Sequence, residues 1–472
     1  MRTERRLGGK EGSPRALRVA MVGTRGVPAH YGGFETAVEE IGRRLVDRGH
    51  EVTVYCRGAD KSLKTYLGMR LVHLPAPSSK QLETLVHSAL STAHLVGSRR
   101  HDAAIMFNAA NAPFVPLLRA RGIPTAIHVD GLEWQRAKWA GAGRRYYRAV
   151  ESLSVRWADA LIADAPGIAD YYTREFGVET ELLAYGAPIQ VDVKSDRLEE
   201  LRLVPSGYHV VVARFEPENH VLEIVQGYRA SQAELPLVVV GSAPYADSYT
   251  REIRAAAGND PRIRLLGGIW DQAQLDQLYG NALTYLHGHS VGGTNPSLLR
   301  AMGAGTAVLA WDVVFNRTVL GDTDATYFST AAQVTQAIEE AELEPAAMTA
   351  AGAHSRMRAA QNFRWDDVAS GYEQLLVNLA DRVPMRSPAN GRRLVAARGR
   401  AEETPIARQA GAGGSRTAAA QIPKPVSESP QRLIHVGTDD EAFLKPLADQ
   451  PFSQLLPTDV PDPATIETRA NA

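Results

Sequence analysis

Short apolar runs recur along most of this chain, and each is followed by a stretch whose apolar residues return every three or four positions. LRVAMVG (17–23) is continuously apolar, as a strand buried on both faces must be. Phe34, Val38, Ile41 and Leu45 follow at helical spacing and predict a helix over 34–46. EVTVYC (51–56) reads as the next strand, and MRLVHL, AAIMF, PTAIHV and ADALIADA repeat the rhythm. A second series begins after Tyr185-Gly186 with YHVVVARF, LPLVVVG, RIRLLGG, ALTYLHG and TAVLAW. Strands alternating with helices predict parallel sheets covered on both faces, so the fold class is α/β with two doubly wound domains. From 332 to 381 the pattern is helical throughout, and FRWDDVASGYEQLLVNLAD is expected to close the second domain. The expected division is an arm at 1–15, domains at 16–185 and 207–384, a linker at 186–206 and a tail at 385–472.

Composition narrows this picture. At 472 residues, 44% apolar and 22% charged, the chain suits more than one globular core. Its 52 basic and 53 acidic residues nearly cancel, which excludes a bulk polyanion binder, and no nucleic-acid partner is expected. Cys56 is the only cysteine, so the chain forms no internal disulfide or thiolate cluster, and Cys56 reads as a small apolar residue ending a strand. The apolar stretch 103–120 is broken by Asn108, Asn111, Pro113 and Pro116, and MRTERRLGGKEGSPR has no apolar region behind its charges. The expected location is therefore cytoplasmic. Between 386 and 416, seven arginines stand among Ala, Gly, Ser and Pro without an apolar period, and the tail from 385 is expected to be mostly disordered. It reads either as a solvated linker or as a segment for peripheral contact with an anionic membrane.

The first predicted strand runs into GTRGVPAHYGGFET, which lacks the dinucleotide spacing G-x-G-x-x-G. A glycine-rich loop entering a helix N-terminus either holds a phosphate oxygen on backbone N–H groups or simply meets the demands of a turn, and both readings stand. Thr294, Asn295 and Pro296 precede the apolar run of TNPSLLRAMGA and are N-cap and first-turn signals, with Gly292 and Gly293 allowing close backbone approach.

The stretch VGTRGVPAHYGGFETAVEEIGRRLVDRGHEVTVYCR resembles the N-terminal domain of family 4 glycosyltransferases of the GT-B fold, and more narrowly their rhamnosyltransferase-like bacterial subfamily. HVDGLEWQRAKW, VARFEPENH, LHGHSVGGTNPSLLRAMGAG and WDVVFNRTVLGD extend the likeness over about residues 17–380. The resemblance implies two Rossmann-like domains facing across a cleft. It implies a nucleotide diphosphate sugar as co-substrate, no further cofactor and no metal. The acceptor is a saccharide or a polyprenyl-diphosphate-linked saccharide, and the setting is polysaccharide biosynthesis. The implied reaction is transfer of a hexose, L-rhamnose among the candidates, with retention. Arg214 matches the basic residue that contacts the donor diphosphate, with Asn219 where many members carry Lys. Gly32, Gly33, Gly292, Gly293, Thr294, Asn295, Ser297 and Arg300 join the donor side.

The wider family frames its donor helix with an E-x7-E pair, and those two positions here are Gly292 and Arg300. A guanidinium has no acceptor, so Arg300 cannot take the place of a carboxylate that accepts from ribose hydroxyls. It either salt-bridges the diphosphate or turns outward. A non-catalytic member that binds a sugar nucleotide or glycolipid is the alternative function. His128 and Asp130 end a predicted strand and are expected to face the cleft as catalytic or orienting groups, with Glu133 and Trp134 on the acceptor side. The plainer readings are a structural His128, and Asp130 and Glu133 capping the following helix. Asp322-Thr323-Asp324 reads as a turn and His287 with His289 as no metal site, since no further ligand sits at spacing.

Overall fold

Parallel strands made of Val, Ile, Leu and Ala need cover on both faces, and the intervening amphipathic helices supply it. The computed structural model describes residues 15–29, 32–57, 62–77, 83–129, 133–135, 141–241 and 247–385. All of the expected arm but Arg15, and all of the expected disordered tail but Met385, lie outside the described residues, as does Asp130. Both sheets belong to one unit within residues 1–401.

The first sheet contains β1 (Arg18–Val22), β2 (Glu51–Cys56), β3 (Thr65–Tyr66), β4 (Met69–His73), β5 (Ala103–Phe107), β6 (Thr125–Val129), β7 (Ala160–Ala163) and β8 (Glu181–Leu182). Their order is β3-β4-β2-β1-β5-β6-β7-β8, parallel except for the β3–β4 hairpin. The second sheet contains β9 (His209–Val212), β10 (Leu237–Val240), β11 (Ile263–Gly267), β12 (Thr284–His287), β13 (Ala307–Trp311) and β14 (Thr326–Phe328), in the order β11-β10-β9-β12-β13-β14. Both are doubly wound. Strand order reverses beside β1 and β9, and a doubly wound sheet opens its binding crevice at the carboxyl ends of the strands flanking that point.

The Gly33–Asp47 helix shows how sequence becomes packing. Ala37, Val38, Ile41 and Leu45 form its buried stripe against the first sheet, while Arg43 and Arg44 reach Glu40 on the outer face.

The last helix, Trp365–Ala380, departs from expectation. Its sequence position assigns it to the second domain, yet it packs on the Gly33–Asp47 helix and β5 of the first lobe. Arg44 Nε lies 2.7 Å from Asp366, Arg48 Nη1 2.7 Å from Glu373, and His50 Nε2 3.0 Å from Glu373. Leu17 N donates to His50 Nδ1 at 3.1 Å, so the ring proton sits on Nε2 and is given to Glu373. The chain thus crosses between lobes twice. The two crossings are pinned together where Ala187 N donates to Phe363 O at 2.7 Å and Trp365 packs against Gly186.

Candidate functional site

The two lobes meet at loops that leave the carboxyl ends of their strands. Helix Pro296–Ala304 follows β12, with Asn295 as N-cap, its Oδ1 accepting Ser297 N at 2.9 Å, and Pro296 in the first turn. The positive end of its dipole therefore points out of the sheet toward the first lobe. There the Gly33–Asp47 helix begins, and a Cβ on Gly33 would lie 3.0 Å from Pro296 Cγ.

A second contact binds the same loop. Thr294 Oγ1 donates to Asp164 O at 2.6 Å, directly after β7. A Cβ on Gly293 would fall 2.1 Å from Asp164 Oδ1, so a larger residue there would have to displace the Asp164 carboxylate. Gly292 has φ +128°, a conformation suited to glycine, and no atom lies within 4 Å of where its Cβ would be. Gly293 and Thr294 thus hold the lobes together, and Gly292 borders open space.

Arg214 follows β9 with its guanidinium half-exposed and 3.8 Å from Glu216 Oε1. Asn219 Nδ2 donates to Arg214 O at 2.8 Å, so this buried amide closes the loop where a lysine was looked for. Ser290 N donates to Glu218 O at 2.9 Å, which ties the Arg214 loop to the loop after β12. The structure brings Arg214 and the Pro296 helix to neighbouring strand ends of one sheet.

Several expected site residues are placed otherwise. His128 does not face an open cleft. It is fully buried, stacked on Phe107 with Phe34 edge-on and Tyr185 and Tyr372 beside it, and neither ring nitrogen has a hydrogen-bond partner among the described residues. Burial pulls its pKa down to about 3, so the ring is neutral and acts as an aromatic filler. Glu133 is buried, and Trp134 packs on the first lobe's core with the Arg148 guanidinium 5.3 Å over its ring. One face of that indole is therefore occupied, which removes it as an open stacking platform.

Ser297 turns its hydroxyl to Asn295 Oδ1 at 2.7 Å rather than outward. Arg300 donates to Gln272 Oε1 at 2.5 Å and lies 3.5 Å from Asp276 Oδ1, so it faces the Gln272–Gly280 helix. Arg300 is thus engaged with a neighbouring helix of its own lobe.

In the glycine-rich loop after β1, Arg25 N donates to Glu35 Oε1 at 2.9 Å, Gly26 N to Thr24 Oγ1 at 3.1 Å and Ala29 N to Glu39 Oε2 at 2.7 Å. These donors are committed within the chain, which favours the turn reading over a phosphate cradle in this part of the loop. Burial raises the Glu35 carboxyl, opposed by the backbone N–H of Arg25 and the charges of Arg57 and Arg25.

Beside Gly292 lies a cavity of about 190 Å³ between the Pro166–Phe176 and Val314–Leu320 helices, with Ile168, Tyr171, Val291 and Phe315 on its wall. Tyr171 Oη donates to Glu151 at 3.0 Å and Thr318 Oγ1 to Val314 O at 2.8 Å, so these hydroxyls turn inward and the wall is apolar. Asp164 was missed in the sequence. An acid at a strand end before Pro166 was the available signal for it.

Among the described residues, no group of three or more His, Cys, Asp or Glu is placed to hold a metal ion, and no helix is long and apolar enough to cross a membrane. Asp324 accepts from His354 Nδ1 at 2.7 Å in a turn where its φ is +56°, in keeping with the turn reading of Asp322-Thr323-Asp324.

Residues 16–188 match the model of a domain of unknown function (DUF1972), and residues 200–358 match that of glycosyl transferases group 1. The chain has a GT-B fold, and its second lobe is similar to glycosyl transferases group 1. Among solved structures, sucrose-phosphate synthase from Thermosynechococcus elongatus is 20% identical with a TM-score of 0.66, over 78% of this chain and 100% of that one. Anabaena HepE in complex with UDP-glucose is 16% identical with a TM-score of 0.63, over 77% of this chain and 100% of that one. An alpha,alpha-trehalose-phosphate synthase (UDP-forming) from Burkholderia vietnamiensis is 13% identical with a TM-score of 0.57, over 78% and 100%. At these identities the likeness is one of fold. No protein of curated function matches the chain in sequence. In the GT-B frame the Pro296 helix and the Arg214 loop belong to the group 1 domain, and the glycine loop and Asp164 belong to the DUF1972 domain.

Proposed function

We propose that this GT-B chain is a retaining glycosyltransferase that moves a hexose from a nucleotide diphosphate sugar to a saccharide or lipid-linked saccharide. L-rhamnose and a polyprenyl-diphosphate-linked acceptor are the subfamily's counterparts, polysaccharide assembly is the corresponding setting, and peripheral contact with the membrane's inner face would suit that acceptor. The observation that carries the reading is the capped N-terminus of the Pro296–Ala304 helix, aimed at the opposite lobe within a glycosyl transferases group 1 domain. The positive dipole end of that helix and the half-exposed Arg214 guanidinium are suited to the charge that grows on a departing diphosphate. A same-face displacement, in which a phosphate oxygen takes the acceptor's proton, asks for no protein base. That agrees with the burial and neutrality of His128.

A second reading has its own observation. Arg300 stands at a position where the family carries a carboxylate and is engaged with Asp276, which favours a member that binds a sugar nucleotide without turning it over. Calorimetric titration of UDP, dTDP, GDP and ADP, followed by turnover of the matching sugar nucleotides, tests both. Binding with turnover is expected. Binding without turnover selects the second reading, and failure to bind any of the four refutes both.

A further inference from the structure

Both lobes build the wall of the cavity beside Gly292. Ile168 and Tyr171 come from the Pro166–Phe176 helix of the first lobe, Val291 from the loop after β12, and Val314 and Phe315 from the Val314–Leu320 helix of the second. Two further lining residues, Ala165 and Gly292, are the chain neighbours of Asp164 and Gly293, which meet across the lobes. Thr294, bonded to Asp164 O, leads from that contact into the N-cap of the Pro296 helix. The cavity therefore adjoins the candidate site and is complete only when the lobes are together.

The chemistry of the wall decides what it can hold. No lining residue is charged. The proton of each of its three hydroxyls is already spent: Tyr171 Oη donates to Glu151, Thr318 Oγ1 to Val314 O, and Ser290 Oγ to Glu218 O at 3.1 Å. A hydroxylated sugar buried here would give up its hydrogen bonds to water for few in return, at a cost that grows with each hydroxyl. An apolar group gives up nothing and gains the area it buries.

Size narrows the ligand further. A cavity of about 150 Å³ lined by apolar side chains takes benzene, so one of about 190 Å³ suits a segment of about six to ten carbons. Val314, at the rim, is 77% exposed, and an apolar chain entering the cavity would cover it.

We propose that this cavity is the subsite for the lipid part of the acceptor: it takes an isoprenoid or alkyl segment, with the sugar end of the same molecule directed along Gly292 toward the Pro296 helix. This rests on the glycosyltransferase reading and adds to it the class of the acceptor and the residues that select it.

The test uses the full-length protein, with geraniol as the isoprenoid probe, glucose as the hydroxylated control and UDP as the report on the donor site, each titrated by calorimetry. Wild-type protein should bind geraniol and show no binding of glucose. Val291→Phe and Thr318→Phe, which each add a ring to the wall, should weaken geraniol about tenfold, because an apolar ligand is held by the area it buries. UDP affinity should stay within about twofold in both variants, since a general loosening of the fold would weaken the two ligands together. Thr318 is exposed, so Thr318→Phe carries the test if Val291→Phe fails to fold. Geraniol bound equally by wild type and variants would place it elsewhere and overturn the proposal, as would parallel losses of geraniol and UDP. Glucose binding that the same variants abolish would assign the cavity to a hydroxylated sugar and overturn it too. Wild-type protein that binds UDP but not geraniol sinks this proposal alone. Failure to bind UDP, dTDP, GDP and ADP alike sinks the glycosyltransferase reading, and the acceptor subsite with it.

Discussion

Gly33 and Pro296, each the first residue of its helix, face one another across the two lobes. A single added carbon on Gly33 would sit 3.0 Å from Pro296 Cγ and 3.7 Å from Tyr185 Oη. Two positive helix ends brought this close repel one another. An anion between or beside them would relieve that repulsion.

Gly33 is not among the glycines with positive φ, so substitution there acts by volume and not by backbone strain. Gly33→Val should leave the melting temperature within a few degrees and weaken UDP binding or transfer by about tenfold, near 1.4 kcal/mol. Gly33→Ala should show a smaller effect of the same sign. A valine variant with wild-type kinetics would mean that the lobes do not work at this separation.

Arg300→Glu removes the bond to Gln272 and sets a carboxylate beside Asp276. The expected result is a stability loss of about 1–2 kcal/mol in chemical denaturation. Arg300→Met should lose less, because it removes the pair without adding a like charge. Unchanged stability in the glutamate variant would show that the contact with the Gln272–Gly280 helix contributes little in solution.

Glu151 is buried between the Ala142–Trp157 and Pro166–Phe176 helices. Burial raises its carboxyl from 4.5 to about 7, against the opposing influence of the Tyr171 hydroxyl and Arg148. The folded state therefore holds this proton more tightly than the unfolded state, and stability is lost as pH rises from about 4.5 through 7. Glu151→Gln should be more stable than wild type near pH 8 by up to about 3 kcal/mol, and the gain should vanish near pH 5. Melting curves at the two pH values decide it. A gain independent of pH would assign the effect to packing.

Glu373 behaves in the opposite sense. Burial alone would raise its carboxyl, but the hydrogen bonds from His50 and Arg48 outweigh it and hold the group below its ordinary value. Its contribution is present above the unfolded pKa and is lost as pH falls through the folded one. Glu373→Gln should cost about 1–2 kcal/mol at neutral pH and should flatten the acid limb of the stability curve below about pH 4.5. Because this carboxylate anchors the last helix to the first lobe, increased protease sensitivity within 365–380 should accompany the loss.

Eleven of the fourteen strands among the described residues, their parallel character and most helices were legible in the sequence, because burial on both faces imposes continuous apolar runs and a 3.6-residue period on their cover; the short β3, β8 and β14 carry no such run. EVTVYC became β2 over the same six residues, and the Asn295-Pro296 start of its helix was readable from local capping chemistry. Where side chains point at the cleft was not legible, since that depends on contacts between residues far apart in the chain. His128 ends a strand as expected, but Phe34, Tyr185 and Tyr372 arrive from three distant segments and bury it. The last helix follows the second domain in sequence, yet its Asp366 and Glu373 pair with Arg44, Arg48 and His50 more than 300 positions away. Arg300 stood at the right helical register for the cleft, and its partner Asp276, on another helix, decided its direction. Local periodicity and capping act over a few residues and are written in the sequence. The meeting of Gly33 with Pro296, and of Thr294 with Asp164, exists only once two separately wound sheets are set face to face.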